Sequence, residues 1–250
     1  MTPAGGQEST GHSGAHWFAT THWSVVLSAG DPSSPKAAGA LEKLCRTYWL
    51  PLYTYVRRNG HSPEDAQDLT QAFFANFLEK NSVGRARRER GRFRSFLLTS
   101  LQNFLAHEWE KARTAKRGGG VSPLAWDELS PEILYQLEPG PDLPPDKAFA
   151  RRWAMTLFQQ ALARVNEEFT QAGKAEIFNE LKAFLSETTD ESGYATAAAR
   201  LAMAPGAVAV AVHRLRKRYG EFVREEIANT VTRPEEIEDE MRYLIELMSA

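Results

Sequence analysis

The sequence predicts an all-α protein built from two helical domains that a proline-rich linker joins. Apolar residues recur at intervals of three and four over most of the chain, and no segment alternates apolar and polar residues as a strand would. Hydrophobic residues occupy 42% of the 250 positions, which is enough to bury substantial cores. Six prolines fall within residues 121–146, a composition typical of a linker between domains.

The first domain is expected over residues 17–120. Residues 1–16 precede it and are rich in Gly, Ser, Thr and His without periodicity, a composition that predicts a disordered tail. Residues 37–58 have a helical pattern that Pro51 should kink or split, because proline removes a helix hydrogen bond.

Ser62 and Pro63 predict the start of the next helix, since serine caps helix N-termini and proline suits the first helical position. A phenylalanine stripe on this helix is expected in the core. Asp65, Asp68 and Gln71 form an acidic edge beside that stripe, and solvated carboxylates are the ordinary explanation of such an edge.

The helix expected over residues 93–116 combines positive charge with aromatic residues at its margin. Residues 85–117 contain ten Lys or Arg and three Glu, a net charge of +7. Cations that follow phosphates, with rings that stack on bases, are typical of a protein that binds single-stranded nucleic acid. The alternative is that Trp109 is a partly buried packing residue.

The second domain is expected over residues 147–232 and includes the most informative pattern. Residues 194–219 predict a short Ala-rich helix, a turn at residues 202–204 and a second helix that opens at Pro205. This is the helix-turn-helix pattern. Ala202 stands where glycine would ease the bend, and Ala204 stands where Ser or Asp would cap the second helix.

The second helix of this pair is amphipathic, with one apolar and one narrow basic face. Val208, Val212 and Leu215 share one arc of the helical wheel, whereas His213 and Lys217 lie on the opposite side. Such a helix can pack on a partner behind it and enter the major groove of DNA in front. The alternative is a surface helix with a solvated basic face.

Residues 233–250 are expected to form an acidic C-terminal helix with one apolar face. Residues 225–250 contain eight acids and two arginines, a net charge of −6. One hypothesis is that this helix places acid near a basic DNA-binding surface and restrains it. The other is a packing helix that only completes the C-terminal core.

Composition argues against several classes of function. Cys45 is the single cysteine, so neither a disulfide framework nor a cysteine-based metal site is expected. His12 and His16 lack a third ligand at convincing spacing, so we expect no metal and no cofactor. There is neither a nucleophile elbow nor a catalytic cluster, and an enzyme is not expected. No signal peptide and no apolar run of 18 residues is visible, which favours a cytoplasmic protein without membrane contact.

Two stretches resemble one family in the right order. The first stretch consists of SPEDAQDLTQAFFANFLEK followed by FRSFLLTSLQNFLAHEWEKARTAKRGGG. It is similar to region 2 of bacterial sigma-70-type RNA polymerase sigma factors. The second stretch is GYATAAARLAMAPGAVAVAVHRLRKRYGEFVREEIA, which is similar to region 4 of the same family. The layout without a region 3 resembles the extracytoplasmic-function (ECF) and ECF-like class, with an acidic extension.

The resemblance implies a sigma factor that binds core RNA polymerase and directs promoter recognition and transcription initiation. It implies contacts with the clamp coiled coil and flap of the polymerase and with promoter DNA, and an anti-sigma factor as a further class of partner. The residues implied in polymerase binding are Asp65, Asp68, Leu69 and Gln71. Those implied at the −10 element are Arg94, Trp109, Arg113, Lys116 and Arg117. Those implied at the −35 element are Pro205, Gly206, Ala207, Val210, His213, Arg214 and Lys217. The alternative is a stand-alone helix-turn-helix transcriptional regulator that never meets the polymerase, and dependence of promoter binding on polymerase would separate the two.

Overall fold

A computed structural model describes residues 22–114, 131–137, 143–185 and 191–249. Within these ranges the regular structure is entirely helical, which confirms the predicted all-α class. Three short 3-10 segments, Ser82–Arg85, Arg88–Arg90 and Lys182–Leu185, connect the α-helices. In chain order the helices are α1 (Trp23–Gly30), α2 (Ala37–Arg58), α3 (Pro63–Glu79), α4 (Phe93–Thr114), α5 (Pro131–Gln136), α6 (Pro145–Gln171), α7 (Ala175–Leu181), α8 (Glu191–Arg200), α9 (Pro205–Ala228) and α10 (Glu236–Ser249).

The predicted starts and stops in the first half are largely confirmed. The Ser62 hydroxyl accepts a hydrogen bond from the Asp65 amide at 3.1 Å and so caps α3, while Pro63 is its first residue. Pro51 does not split α2, which is continuous across it. Both Pro51 and its neighbour Leu52 are buried, and tertiary packing on several sides therefore offsets the hydrogen bond that proline lacks.

One continuous hydrophobic core runs through both halves of the described chain, so the predicted separation into two domains is not confirmed. The most extensive helix contact joins α2 of the first half to α6 of the second. There the rings of Tyr48 and Phe149 stack at a centroid distance of 6.4 Å, and both are fully buried. The sequence does not show this packing because the two helices are separated by about a hundred residues of chain and a proline-rich stretch.

Part of the predicted linker is a docked helix. The carboxylate of Glu132 on α5 accepts hydrogen bonds from Arg57 at 2.8 and 2.9 Å and from the Tyr53 hydroxyl at 2.6 Å. The Arg57 guanidinium holds the pKa of Glu132 well below its ordinary value, at about 2. The helix α5 thus occupies part of the predicted linker, whereas linker residues 121–130 and 138–142 lie outside the described residues, as do residues 1–16.

The start of the described chain is fastened to the end of α9. The Trp23 amide donates to the Asn229 carbonyl at 3.2 Å, and the His22 ring lies 2.9 Å from the buried carboxylate of Glu226. At the other end of α1, the backbones of Gly30 and Gly84 come so close that a Cβ on Gly30 would lie 3.0 Å from the Gly84 Cα. These contacts hold α1 between the two halves.

The acidic C-terminal segment forms a helix with one apolar face, as predicted. On α10, Leu244 and Leu247 are buried, and Ile237 and Met241 pack against the same core. The helix lies against α6 and α9. It therefore completes a core that belongs to both halves of the chain.

Candidate nucleic-acid interface

The turn between α8 and α9 has the geometry of a helix-turn-helix. The two helices are bent by 98° across residues 201–204, within the range of about 90–120° that is usual for this motif. The Met203 amide donates to the Ala198 carbonyl at 2.9 Å and the Ala202 amide to the Ala199 carbonyl at 3.4 Å, the two bonds of a Schellman motif. Ala202 has a φ of 50°, so it adopts the left-handed conformation that glycine favours, as the sequence indicated.

The second helix presents the two faces that its sequence predicted. Val208, Val212 and Leu215 are buried beneath it. All seven positions that were assigned to the recognition face lie on the exposed side, and Val210 is 51% exposed at its centre. These exposed positions are Pro205, Gly206, Ala207, Val210, His213, Arg214 and Lys217.

Two further arginines of α9 hold the helix in place, and the sequence reasoning missed them. Arg216 donates to the Phe184 carbonyl at 3.0 and 2.7 Å. Arg218 is paired with Glu168 of α6, which lowers the pKa of that carboxyl, and with Glu221 at 2.9 Å. The guanidinium groups of Arg216 and Arg218 are thus bound to other parts of the protein, and Arg214 and Lys217 supply exposed positive charge on the predicted recognition face.

A groove between α3 and α4 adds a second candidate surface. The groove has a volume of ≈ 580 Å³. It is lined by buried Phe73 and Phe77, by half-buried Phe104, by Lys80 and by Lys111, whose ammonium group pairs with Glu108 at 2.6 Å. Aromatic walls with cations at the edge are suited to unstacked bases and their phosphates.

The basic helix α4 exposes some of its predicted strand-binding residues. Trp109 is 62% exposed, which favours a surface role over the alternative of a packing residue. The side chain of Arg113 and the whole of Lys116 and Arg117 lie outside the described part of the chain, so their predicted roles stay predictions.

Arg94 is the main correction to the predicted site. It is only 6% exposed, its guanidinium pairs with the buried carboxylate of Glu240, and it lies 4.4 Å from the centre of the Trp153 ring. Both partners come from distant helices, α10 and α6, so local periodicity could not show that Arg94 is enclosed. In this arrangement the Arg94 guanidinium is enclosed within the protein and is not on the surface where the sequence predicted it.

The predicted polymerase-binding edge of α3 is partly exposed. Asp65 and Asp68 face solvent, and Leu69 is half-buried against the core. Gln71 is 5% exposed, which corrects its predicted place on the surface. The buried face of α3 is wider than the phenylalanine stripe and includes Gln71 beside Thr70.

Among the described residues, no group of three or more His, Cys, Asp or Glu side chains is arranged to hold a metal ion. Of the described helices, none taken singly is long and apolar enough to cross a membrane. Residues of α8 and α9 meet the length and composition limits only as a pair, and that pair is bent by 98°.

Comparisons with protein-family models, with curated proteins and with solved structures find no match to this chain.

Proposed function

We propose that this protein is a promoter-recognition subunit of RNA polymerase of the sigma type, which brings core polymerase to promoter DNA and has no catalytic activity of its own. The observation that carries the proposal is the 98° helix-turn-helix with its exposed basic face. In such motifs the second helix lies in the major groove and its N-terminal residues contact base edges. Here that helix is α9, which would read the −35 element.

The first half of the chain supports the same function. The aromatic groove between α3 and α4, with exposed Trp109 further along α4, suits the non-template strand of an opened −10 element. Exposed Asp65 and Asp68 on α3 suit a basic partner surface, for which the sequence resemblance suggests the clamp coiled coil of the polymerase.

Promoter binding with and without core polymerase tests the proposal. A sigma-type subunit should bind and open a promoter selected from a library only when core polymerase is present. Asp68→Lys should weaken the association with core polymerase, whereas Glu167→Lys, an exposed acid on α6, should not. Equal promoter affinity with and without polymerase would instead identify a stand-alone helix-turn-helix regulator.

The role of α9 is tested separately on duplex DNA. Lys217→Ala should weaken binding and reduce the salt dependence by about one phosphate contact. Lys174→Ala changes an exposed lysine that precedes α7 and serves as the matched control. If both variants behave alike, α9 is not the DNA-binding helix.

A further inference from the structure

A buried carboxylate from the C-terminal helix lies between two arginines at the start of α4. Glu240 has a side chain only 1% exposed, and it pairs with Arg94 and, at 2.8 Å, with Arg92. Arg92 is still 31% exposed, and a cleft of ≈ 310 Å³ lined by Arg92, Arg94 and Glu240 opens beside the pair. The ion-paired cluster can therefore be reached from solvent on one side.

The chain just before α10 also contacts the basic segment that contains Arg92 and Arg94. Arg88 donates to the Val231 carbonyl at 3.2 Å, and the Thr232 hydroxyl donates to the Arg88 carbonyl at 2.9 Å. Residues 231–240 thus lie along the segment that runs from Arg88 to Arg94. This segment belongs to the stretch with a net charge of +7.

The two arginines of the cluster can bind a phosphate as well as the carboxylate that they hold here. A guanidinium group presents its N–H donors in a planar fork that binds carboxylate and phosphate equally well. Replacing a whole buried ion pair by well-packed apolar residues of similar size is often neutral or stabilising, whereas removing only one partner is costly because it leaves the other charge buried. The packing of α10 already has Leu244 and Leu247, so it does not require a charge at position 240.

We propose that Arg92 and Arg94 form a binding site for nucleic-acid phosphate, and that Glu240 occupies this site in the closed arrangement of the free protein. The C-terminal segment is then an intramolecular competitor of DNA. This inference rests on the proposed function, because it names the ligand and the regulation of the strand-binding surface on α4. Release of α10 would expose Arg94, which could then contact the −10 element as the sequence resemblance implies.

The size of the effect follows from the equilibrium between closed and open arrangements. When the competent state is a small fraction of the protein, the apparent dissociation constant is the intrinsic one divided by that fraction. Loss of one hydrogen-bonded charge pair shifts such an equilibrium by roughly tenfold or more. Glu240→Gln keeps the shape of the side chain and removes its charge, so the full-length variant should bind a labelled single-stranded oligodeoxynucleotide roughly tenfold more tightly.

Glu246→Gln is the matched control. Glu246 is an exposed acid on the same helix, and its substitution changes the net charge by the same amount as Glu240→Gln. It should bind the oligonucleotide like the original protein. In the double variant Glu240→Gln, Arg94→Gln the gain should disappear. A Glu240→Gln variant that binds no more tightly than the control would overturn the inference.

Hydrogen exchange of the original full-length protein gives a second measurement that does not depend on how the variants fold. Saturating oligonucleotide should speed exchange at the amides of α10, and unchanged or slower exchange there would overturn the inference. Duplex and polymerase binding, measured in parallel, separate this result from the proposed function. If those activities are present while α10 stays protected, only the competitor role fails; if all binding is absent, the proposed function fails as well.

Discussion

Replacing Ala202 with glycine should stabilise the turn between α8 and α9. Ala202 has a φ of 50°, in the left-handed region where an L-residue with a Cβ is strained. Its amide and that of Met203 donate to carbonyls of α8, so the conformation is fixed by the Schellman hydrogen bonds and cannot relax without losing them.

Two opposing contributions set the change in unfolding free energy that Ala202→Gly should cause. The left-handed conformation costs a residue with a Cβ about 1–2 kcal/mol, which glycine avoids. Glycine also gains conformational entropy in the unfolded chain, which costs about 0.4–1 kcal/mol. The net expectation for Ala202→Gly is a gain in unfolding free energy of about 0–1.6 kcal/mol, or up to about 6 °C in melting temperature for a chain of this size.

Ala209→Gly is the matched control, since Ala209 is exposed within α9 and its backbone is helical. There glycine should destabilise by about 0.5–1 kcal/mol. Thermal and denaturant unfolding of both variants followed by circular dichroism would measure the two changes. If both substitutions destabilise the protein equally, Ala202 is not left-handed and the turn does not have the Schellman geometry.

Four other substitutions test backbone packing, an ion pair and a helix cap. Gly30→Ala should destabilise by about 1–3 kcal/mol because its Cβ meets backbone at 3.0 Å, whereas Gly39→Ala, in open space on α2, should stabilise by up to about 1 kcal/mol in the same unfolding assay. The folded-state pKa of Glu132 is depressed to about 2, so its contact with Arg57 stabilises at neutral pH and is lost as pH falls from about 4.5 toward 2; Glu132→Gln should remove this acid dependence of hydrogen exchange in α5. Ala204→Ser should supply the missing cap of α9 and raise stability by about 0.5–2 kcal/mol without changing duplex affinity, as a melt and a binding titration would show.

The sequence predicted what depends on neighbours along the chain. The cap at Ser62, the left-handed turn at Ala202 and the exposed face around Val210 all follow from residue type and helical period. It failed where a partner comes from far away in the chain. Arg94 and Gln71 have polar side chains at positions that a helical wheel cannot place inside, and only tertiary packing of α10, α6 and the wide face of α3 encloses them.

The difference between local and distant packing also decides which part of the closed arrangement should open first. Undocking α10 exposes chiefly Leu244 and Leu247, a loss of about 3–6 kcal/mol of apolar burial, together with the Glu240 ion pairs. Separating α2 from α6 breaks the most extensive contact in the described chain, including the stack of Tyr48 on Phe149. We therefore expect native-state hydrogen exchange to show a smaller opening free energy for the α10 amides than for those at the centre of α6. Identical opening free energies would mean that α10 is released only by global unfolding. In that case DNA could not displace α10 while the rest of the protein stays folded.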